Sequence, residues 1–152
     1  MIPSRIYVAA SWRTPRQPEV VAVLRAAGHD VYDFRHPAPG DQGFGWREID
    51  PKWHTWTAEQ YVAGLRHPVA RHSFAQDMGA LSRADLVVLV QPSGRSAALE
   101  FGWARGCGKP GAVLLAEGQE PELMLAMADL LTPSLDRVVE WAALRHVERR
   151  SH

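Results

Sequence analysis

At 152 residues the chain is long enough for one domain with its own core. Its 17 Lys and Arg residues balance 17 Asp and Glu residues, and this balance argues against a general attraction to nucleic acid or membrane surfaces. The single cysteine, Cys107, excludes an internal disulfide framework and is typical of a reducing compartment. Because the N-terminal stretch is too short and polar for a signal peptide, and no apolar run approaches the roughly 20 residues of a membrane helix, we expect a cytoplasmic protein.

A strand–helix–strand unit opens the chain. Residues 5–10 (RIYVAA) form the apolar run of a buried strand, and residues 19–27 place apolar side chains at helical spacing after two prolines. Gly28 is a natural stop for that helix, and residues 30–34 (DVYDF) predict a second strand. A unit of this kind, about 30 residues long, implies two parallel strands joined by a right-handed crossover.

Residues 35–57 differ in composition from the segments around them. They combine six Pro and Gly residues with four aromatic ones. A stretch of this length without periodic structure is typically functional or disordered, and its aromatic content argues against disorder. We therefore predict an ordered flap in which Trp46, Trp53 or Trp56 offers a stacking surface to a ligand. The alternative, equally open for each tryptophan, is that the rings form the loop's own small core.

Two helices, separated by a histidine–proline break, follow the flap. Thr57 and Gln60 form a capping box that starts the first of them. In the second, which runs to about Arg83, Asp77 lies on the flank of the apolar stripe. A carboxylate in that position is expected either to pair with a nearby arginine or to point into a site.

The stretch from residue 84 to 104 carries the strongest functional signal. Residues 86–90 (LVVLV) are apolar throughout, as in a parallel strand covered on both faces. A polar turn over residues 91–95 follows, and a helix opens near Ser96, so the helix dipole favours an anion at this edge of the sheet. Glu100 shares a helix face with Ser96. Its carboxylate either has a functional role or is simply an acid in an early helical turn, where acids are favoured.

The remaining elements complete a sheet. Residues 111–117 and 129–132 are the predicted fourth and fifth strands, with a short helix over 121–127 between them, and a last helix begins after Ser134. The tail, residues 149–152, is expected to fray.

The order of these elements defines the expected fold. It is an α/β, single-domain, flavodoxin-like (Rossmann-like) sandwich over residues 1–148, with a five-stranded parallel sheet and helices on both faces. Ala98, Gly102 and Gly106 recur every four residues in the helix after the third strand. Glycine inside a helix costs stability, so we expect a packing reason for this small-residue ridge, either the sheet or a partner helix.

Side chains suited to binding a phosphate, with carboxylates beside them, follow the first and third predicted strands, whose C-terminal ends lie at one edge of such a sheet. Arg13 offers a planar fork for a phosphate, while Glu100 and Asp77 offer a nucleophile or base and a second acid. The candidate site residues are Tyr7, Ser11, Trp12 and Arg13 around the first strand, and Ser93, Gly94, Arg95, Ser96 and Glu100 after the third. No Walker loop, dinucleotide fingerprint, zinc spacing or G-x-S-x-G elbow occurs, and we expect no metal and no cofactor.

Three segments resemble the nucleoside 2-deoxyribosyltransferase-like superfamily, in particular its 2′-deoxynucleoside 5′-phosphate N-hydrolase and nucleotide N-glycosidase branch. They are IYVAASWR (residues 6–13), AQDMGALSRADLVVLV (75–90) and PSGRSAALEFGWA (92–104), which lie in the family's order. The resemblance covers most of the chain outside the flap.

The resemblance implies roles for individual residues. It places the family's glutamate nucleophile on Glu100 and its second acid on Asp77. The tyrosine, serine and arginine of the first loop fall on Tyr7, Ser11 and Arg13. The hydrolases carry a glycine-rich turn where this chain has GRSAAL, so the serine of that turn falls on either of two residues, Ser93 or Ser96.

The implied function is hydrolysis of the N-glycosidic bond of a (deoxy)nucleoside 5′-monophosphate through a covalent glycosyl intermediate on Glu100. Asp77 would hold a sugar hydroxyl or help protonate the leaving base. Two alternatives stay open: a nucleoside 2-deoxyribosyltransferase that exchanges bases, and a non-catalytic nucleotide-binding or sensing module on the same fold. We expect a nucleoside or nucleotide as the partner, rather than nucleic acid or a membrane, and a homodimer formed through the small-residue ridge.

Overall fold

The computed structural model describes residues 3–148, so the predicted frayed tail, residues 149–152, lies outside the described residues. Within that range the strands are β1 (Arg5–Ala9), β2 (Asp30–Tyr32), β3 (Leu86–Val90), β4 (Gly111–Leu114) and β5 (Leu130–Thr132). The α-helices are α1 (Gln17–Ala26), α2 (Ala58–Arg66), α3 (Pro68–Arg83), α4 (Arg95–Gly106) and α5 (Leu135–Glu148). Short 3-10 helices cover Trp46–Glu48, Trp53–Thr55 and Leu123–Met127. None of the helices in the described range is long and apolar enough to cross a bilayer.

The strands form one parallel sheet in the order β2–β1–β3–β4–β5. This confirms the predicted α/β, flavodoxin-like fold with its five-stranded parallel sheet. The strand order reverses next to β1, because β2 lies on one side of it and β3 on the other. The C-terminal ends of β1 and β3 therefore flank the switch point, which is where open parallel sheets bind ligands.

The two faces of the sheet are covered by different helices. On one face, alternate strand residues such as Ile6 and Val88 pack with α1 and α5 in the main apolar core. Helix α4 packs on the other face through Ala97, Phe101 and Ala104. All five residues of β3 are buried, as its unbroken apolar sequence predicts for a strand covered on both faces.

Glycine is required where α4 meets the start of β4. A Cβ added to Gly111 would lie 2.6 Å from Cδ of Arg105 and 2.9 Å from the ring of Phe101. Any larger residue would lift this end of α4 from the sheet, which would move the helix that carries Glu100.

Several element boundaries differ from the prediction. Strand β2 ends at Tyr32 rather than at residue 34, because Asp33 starts a turn: its carboxylate accepts the Arg35 N–H at 2.9 Å and its carbonyl accepts the His36 N–H at 3.0 Å. The short helix expected over residues 121–127 is the 3-10 helix Leu123–Met127. The capping box at the start of α2 and the break before α3 are present as predicted.

The described chain divides into two compact units. One comprises residues 3–32 and 81–148 and contains the whole sheet. The other, Asp33–Ala80, carries the first two 3-10 helices, α2 and most of α3. The organisation as a single domain over residues 1–148 with a flap at 35–57 stays a prediction.

Candidate active site

Thr14 joins the loops that follow β1 and β3 at the switch point. Its Oγ1 donates to the carbonyl of Pro92 at 2.6 Å and accepts the backbone N–H of Ser11 at 3.0 Å. The side chain is fully buried, at 0% exposure. This partly buried hydrogen bond helps to hold the two loops in one relative position. Thr14 has no distinguishing signal in the sequence, since its local pattern is that of any threonine before a helix.

Ser11 lies directly against the turn after β3. A Cβ added to Gly94 would lie 3.3 Å from Cβ of Ser11, so a larger residue there would press the two loops apart. The Ser11 hydroxyl accepts the Arg13 N–H at 3.2 Å and lies 3.2 Å from Oγ1 of Thr14. The structure therefore places the predicted site residues Ser11 and Gly94 next to each other, one from each loop.

The tip of the first loop is open to solvent. Trp12 is 52% exposed, and Arg13 is also exposed. Arg13 makes no ion pair with any residue in the described range, so its guanidinium is available to an anion.

The N-terminus of α4 has no side-chain cap. Gly94 is its N-cap residue, and the first backbone N–H groups of a helix have no partner within the helix. Ser93 is half-buried, Arg95 and Ser96 are exposed, and none of these three side chains forms a hydrogen bond with the part of the chain described. Free N–H groups, a positive dipole end and unpaired donors together suit a phosphate or another anion.

Glu100 lies one turn further along α4 and is half-buried. Since Ala97, Phe101 and Ala104 face the sheet, Glu100 is on the border between the buried and exposed faces of the helix. Such a carboxylate can reach a ligand held at the start of the helix. Within residues 3–148 no three His, Cys, Asp or Glu side chains gather as they would around a metal ion.

Tyr7 is held inside the sheet layer. It is 1% exposed, and its ring stacks on that of Tyr32 in β2, with ring centres 5.3 Å apart and planes 17° apart. Asp77 is half-buried on α3, in the unit Asp33–Ala80. Its implied role as the second acid stays a prediction.

Two of the flap tryptophans belong to a local aromatic cluster. Trp46 packs edge-on against Phe44 and Trp56, with ring centres 4.9 Å and 5.6 Å apart. Trp56 covers Gly64, where an added Cβ would clash with the indole ring. These contacts favour the second interpretation, a small core of the loop itself, for Trp46 and Trp56. Trp53 is 42% exposed and stays a candidate stacking surface.

A hydrogen bond from the indole fixes the edge of this cluster. Trp56 Nε1 donates to the Asp50 carboxylate at 2.7 Å. This bond lowers the pKa of Asp50 below its ordinary value, and the hydrogen bond from the Lys52 backbone N–H is the second largest cause of the shift.

The fold and the C-terminal edge of its sheet define the class of protein: a flavodoxin-like α/β chain with a candidate ligand site at the β1/β3 switch point. No protein-family model matches the sequence, and no curated protein matches it. Among solved structures, the chain is similar to a 2-deoxyribosyltransferase from the psychrotolerant bacterium Bacillus psychrosaccharolyticus. The two are 21% identical, the likeness covers 88% of this chain and 89% of that one, and the TM-score is 0.54. At this level of identity the likeness shows that the two chains share the same fold.

Proposed function

We propose that the protein is an N-glycosidase that hydrolyses the N-glycosidic bond of a (deoxy)nucleoside 5′-monophosphate through a covalent glycosyl intermediate on Glu100. One observation carries the proposal: the Ser11 loop meets the uncapped start of α4 at Gly94, nearly two helical turns before Glu100. An anion site and a carboxylate at that spacing suit a substrate with a phosphate at one end and a reacting sugar carbon further along.

The phosphate would be held at the start of α4. The free N–H groups of the first turn, the hydroxyls of Ser93 and Ser96, and the guanidinium of Arg13 supply donors of the kind that phosphates bind. Holding the phosphate would fix the sugar over Glu100, so that binding energy from the phosphate favours the reaction at C1′. Trp12 and Arg95, both exposed at this edge, would contact the same substrate.

The reaction would proceed in two balanced steps. As the bond from C1′ to the base nitrogen breaks, its electron pair goes to the base, which takes up a proton, and the Glu100 carboxylate forms an ester with C1′. Water then attacks C1′, releasing the sugar phosphate and restoring the carboxylate. Asp77 would hold a sugar hydroxyl or deliver the proton to the base, and Tyr7 would border the sugar from β1.

Base exchange is the second candidate, because the similar solved structure is a 2-deoxyribosyltransferase. In that reaction a second base, rather than water, attacks the glycosyl intermediate. A third candidate, a nucleotide-binding or sensing module without turnover, would use the same anion site and release no product.

We also propose a homodimer formed through α4. The sheet does not account for the Gly106 end of the small-residue ridge, since a Cβ added to Gly106 would meet nothing within 4 Å. Leu99 and Trp103 on the same helix are 75% and 40% exposed. A partner helix packed there would bury this apolar strip. The cytoplasmic location expected from the lone cysteine is proposed as well.

Product analysis tests the proposed function. Nucleosides and their 5′-monophosphates, in ribo and deoxy forms, are incubated with the protein, with Glu100→Gln, and with Glu140→Gln, a control at an exposed glutamate on α5. We expect free base from a 5′-monophosphate with the parent and the control, and a loss on the order of 1,000-fold or more with Glu100→Gln. Base released only when an acceptor base is added indicates the transferase, and ligand binding without any product indicates the sensing module.

A further inference from the structure

A cavity lies beside the proposed phosphate site. Its volume is about 270 Å³. Its floor comes from the end of β3, one wall from α4 and the opposite wall from the 3-10 helix Leu123–Met127, while Ser93, Arg95 and Glu122 border it. All of these residues belong to the unit that contains the sheet.

The cavity and Glu100 lie on opposite sides of α4. Ala98 and Gly102 line the cavity, and Glu100 is two residues from each of them. Two residues turn a helix by about 200°, so Glu100 points away from the cavity. The turn at Gly94 borders both sides, because Gly94 lines the cavity and also lies against Ser11. A phosphate held at this turn would therefore have the reacting sugar on one side and the cavity on the other.

Gln91 gives the cavity a buried polar group. Its side chain is 7% exposed, and its Oε1 accepts the Ala116 N–H at 3.2 Å, which fixes the orientation of the carboxamide. The amino end of that carboxamide has no acceptor among the described residues, although Gln91 lines the cavity. This N–H donor can be satisfied by a ligand in the cavity that brings an acceptor.

The walls are apolar and adaptable. Phe101, Met124 and Leu125 line the space around the Gln91 amide. Methionine and phenylalanine side chains pack well against flat rings, and a few polar groups in an apolar pocket are typical of small-molecule sites. The chemistry of this lining suits a heteroaromatic ring that carries a hydrogen-bond acceptor.

We propose that this cavity binds a second group joined to the substrate's 5′-phosphate. The substrate class is then a nucleotide whose 5′-phosphate is linked to a further heteroaromatic group, as in a dinucleoside 5′,5′-diphosphate, rather than a simple monophosphate. The inference rests on the proposed function for the placement of the phosphate. Arg95, exposed at the mouth of the cavity, would neutralise the additional phosphate.

The test compares two probes that contain the same deoxynucleoside: its 5′-monophosphate and its symmetrical 5′,5′-diphosphate. We expect kcat/KM for the diphosphate to exceed that for the monophosphate by about tenfold, the scale on which a filled pocket discriminates between substrates. Gly102→Leu fills the cavity from α4 and should remove this preference while leaving the monophosphate activity. Gly106→Leu is the matched control: it places the same side chain on the same ridge, but Gly106 does not line the cavity.

Equal kcat/KM for the two probes, or a preference that survives Gly102→Leu, overturns the proposal and leaves the glycosidase in place. If neither probe releases base, the proposed function fails. The affinities of the two probes, measured by calorimetry, then test whether the cavity binds the second group. Tighter binding of the diphosphate that Gly102→Leu abolishes and Gly106→Leu keeps would still support it. Equal binding of the two probes, as expected if a partner subunit fills the cavity, would overturn it.

Discussion

Thr14 Oγ1 donates a hydrogen bond of 2.6 Å to the carbonyl of Pro92, 78 residues further along the chain. The bond crosses the point at which the strand order of the sheet reverses. It fixes the Ser11 loop against the turn that precedes α4, and these are the two segments to which we assign the substrate's phosphate.

Replacing Thr14 with valine tests this positioning role. Thr14→Val leaves the partly buried Pro92 carbonyl without its donor and should cost about 0.5–1.5 kcal/mol in the free energy of unfolding. We expect kcat/KM to fall by about tenfold or more, mainly through KM, because the two phosphate-binding segments are no longer held together. Thr14→Ser retains the hydroxyl and should keep most of the stability and most of kcat/KM.

Thr132→Val is the control for that experiment. Thr132 is 1% exposed in β5, and its Oγ1 accepts the Ser134 N–H at 3.1 Å, away from the switch point. We expect a comparable loss of stability with unchanged kcat/KM. An equal fall in kcat/KM for both valine variants would show that Thr14 acts only through global stability.

The Arg5–Asp85 contact should contribute to stability. The Asp85 side chain is 8% exposed and accepts three bonds from Arg5, from its backbone N–H at 2.9 Å and from its guanidinium at 2.9 Å and 3.3 Å. Asp85→Ala removes all three hydrogen bonds, and we expect a fall of about 2–4 °C or more in Tm by calorimetry. Glu19→Gln, at the exposed Arg16–Glu19 pair, should leave Tm unchanged. Equal Tm values for the parent, Asp85→Ala and Glu19→Gln would refute a stabilising role for the Arg5–Asp85 contact.

The Asp50–Trp56 bond predicts a specific pH dependence. Because the hydrogen bond from Trp56 lowers the pKa of Asp50 in the folded state, the ionised carboxylate stabilises that state at pH values above its unfolded pKa of about 4. The contribution is lost as the pH falls through the lower folded pKa. The stability difference between the parent and Asp50→Asn should therefore be largest near pH 6 and shrink towards pH 2. Thermal melts followed by tryptophan fluorescence measure it, and a difference that is constant with pH would contradict the account.

The exposed strip on α4 should control the oligomeric state. We expect the parent to be a dimer by light scattering. Leu99→Glu should raise the dissociation constant of the dimer at least tenfold, on the order of the effect of changing a well-buried interface residue. Leu144→Glu, at a 66% exposed leucine on α5, is the matched control and should remain dimeric. A parent that is monomeric at micromolar concentration would refute the proposed dimer.

The parts of this structure that follow from sequence are those with a local pattern. Five apolar residues in β3 and the Thr57–Gln60 capping box each act within one element, and both are found as predicted. The bond from Thr14 to Pro92 has no local signal, because it depends on how two distant loops meet. The choice between a ligand surface and a loop core for Trp56 likewise depended on Gly64 and Asp50, whose contacts are tertiary.

The most direct test of the central claim is mass spectrometry of the protein quenched during turnover of its best 5′-monophosphate. We predict a mass increase equal to one sugar phosphate unit on the peptide that contains Glu100, and no such increase in Glu100→Gln. Undiminished base release by Glu100→Gln, with no adduct on that peptide in the parent, would contradict a glycosyl intermediate on Glu100.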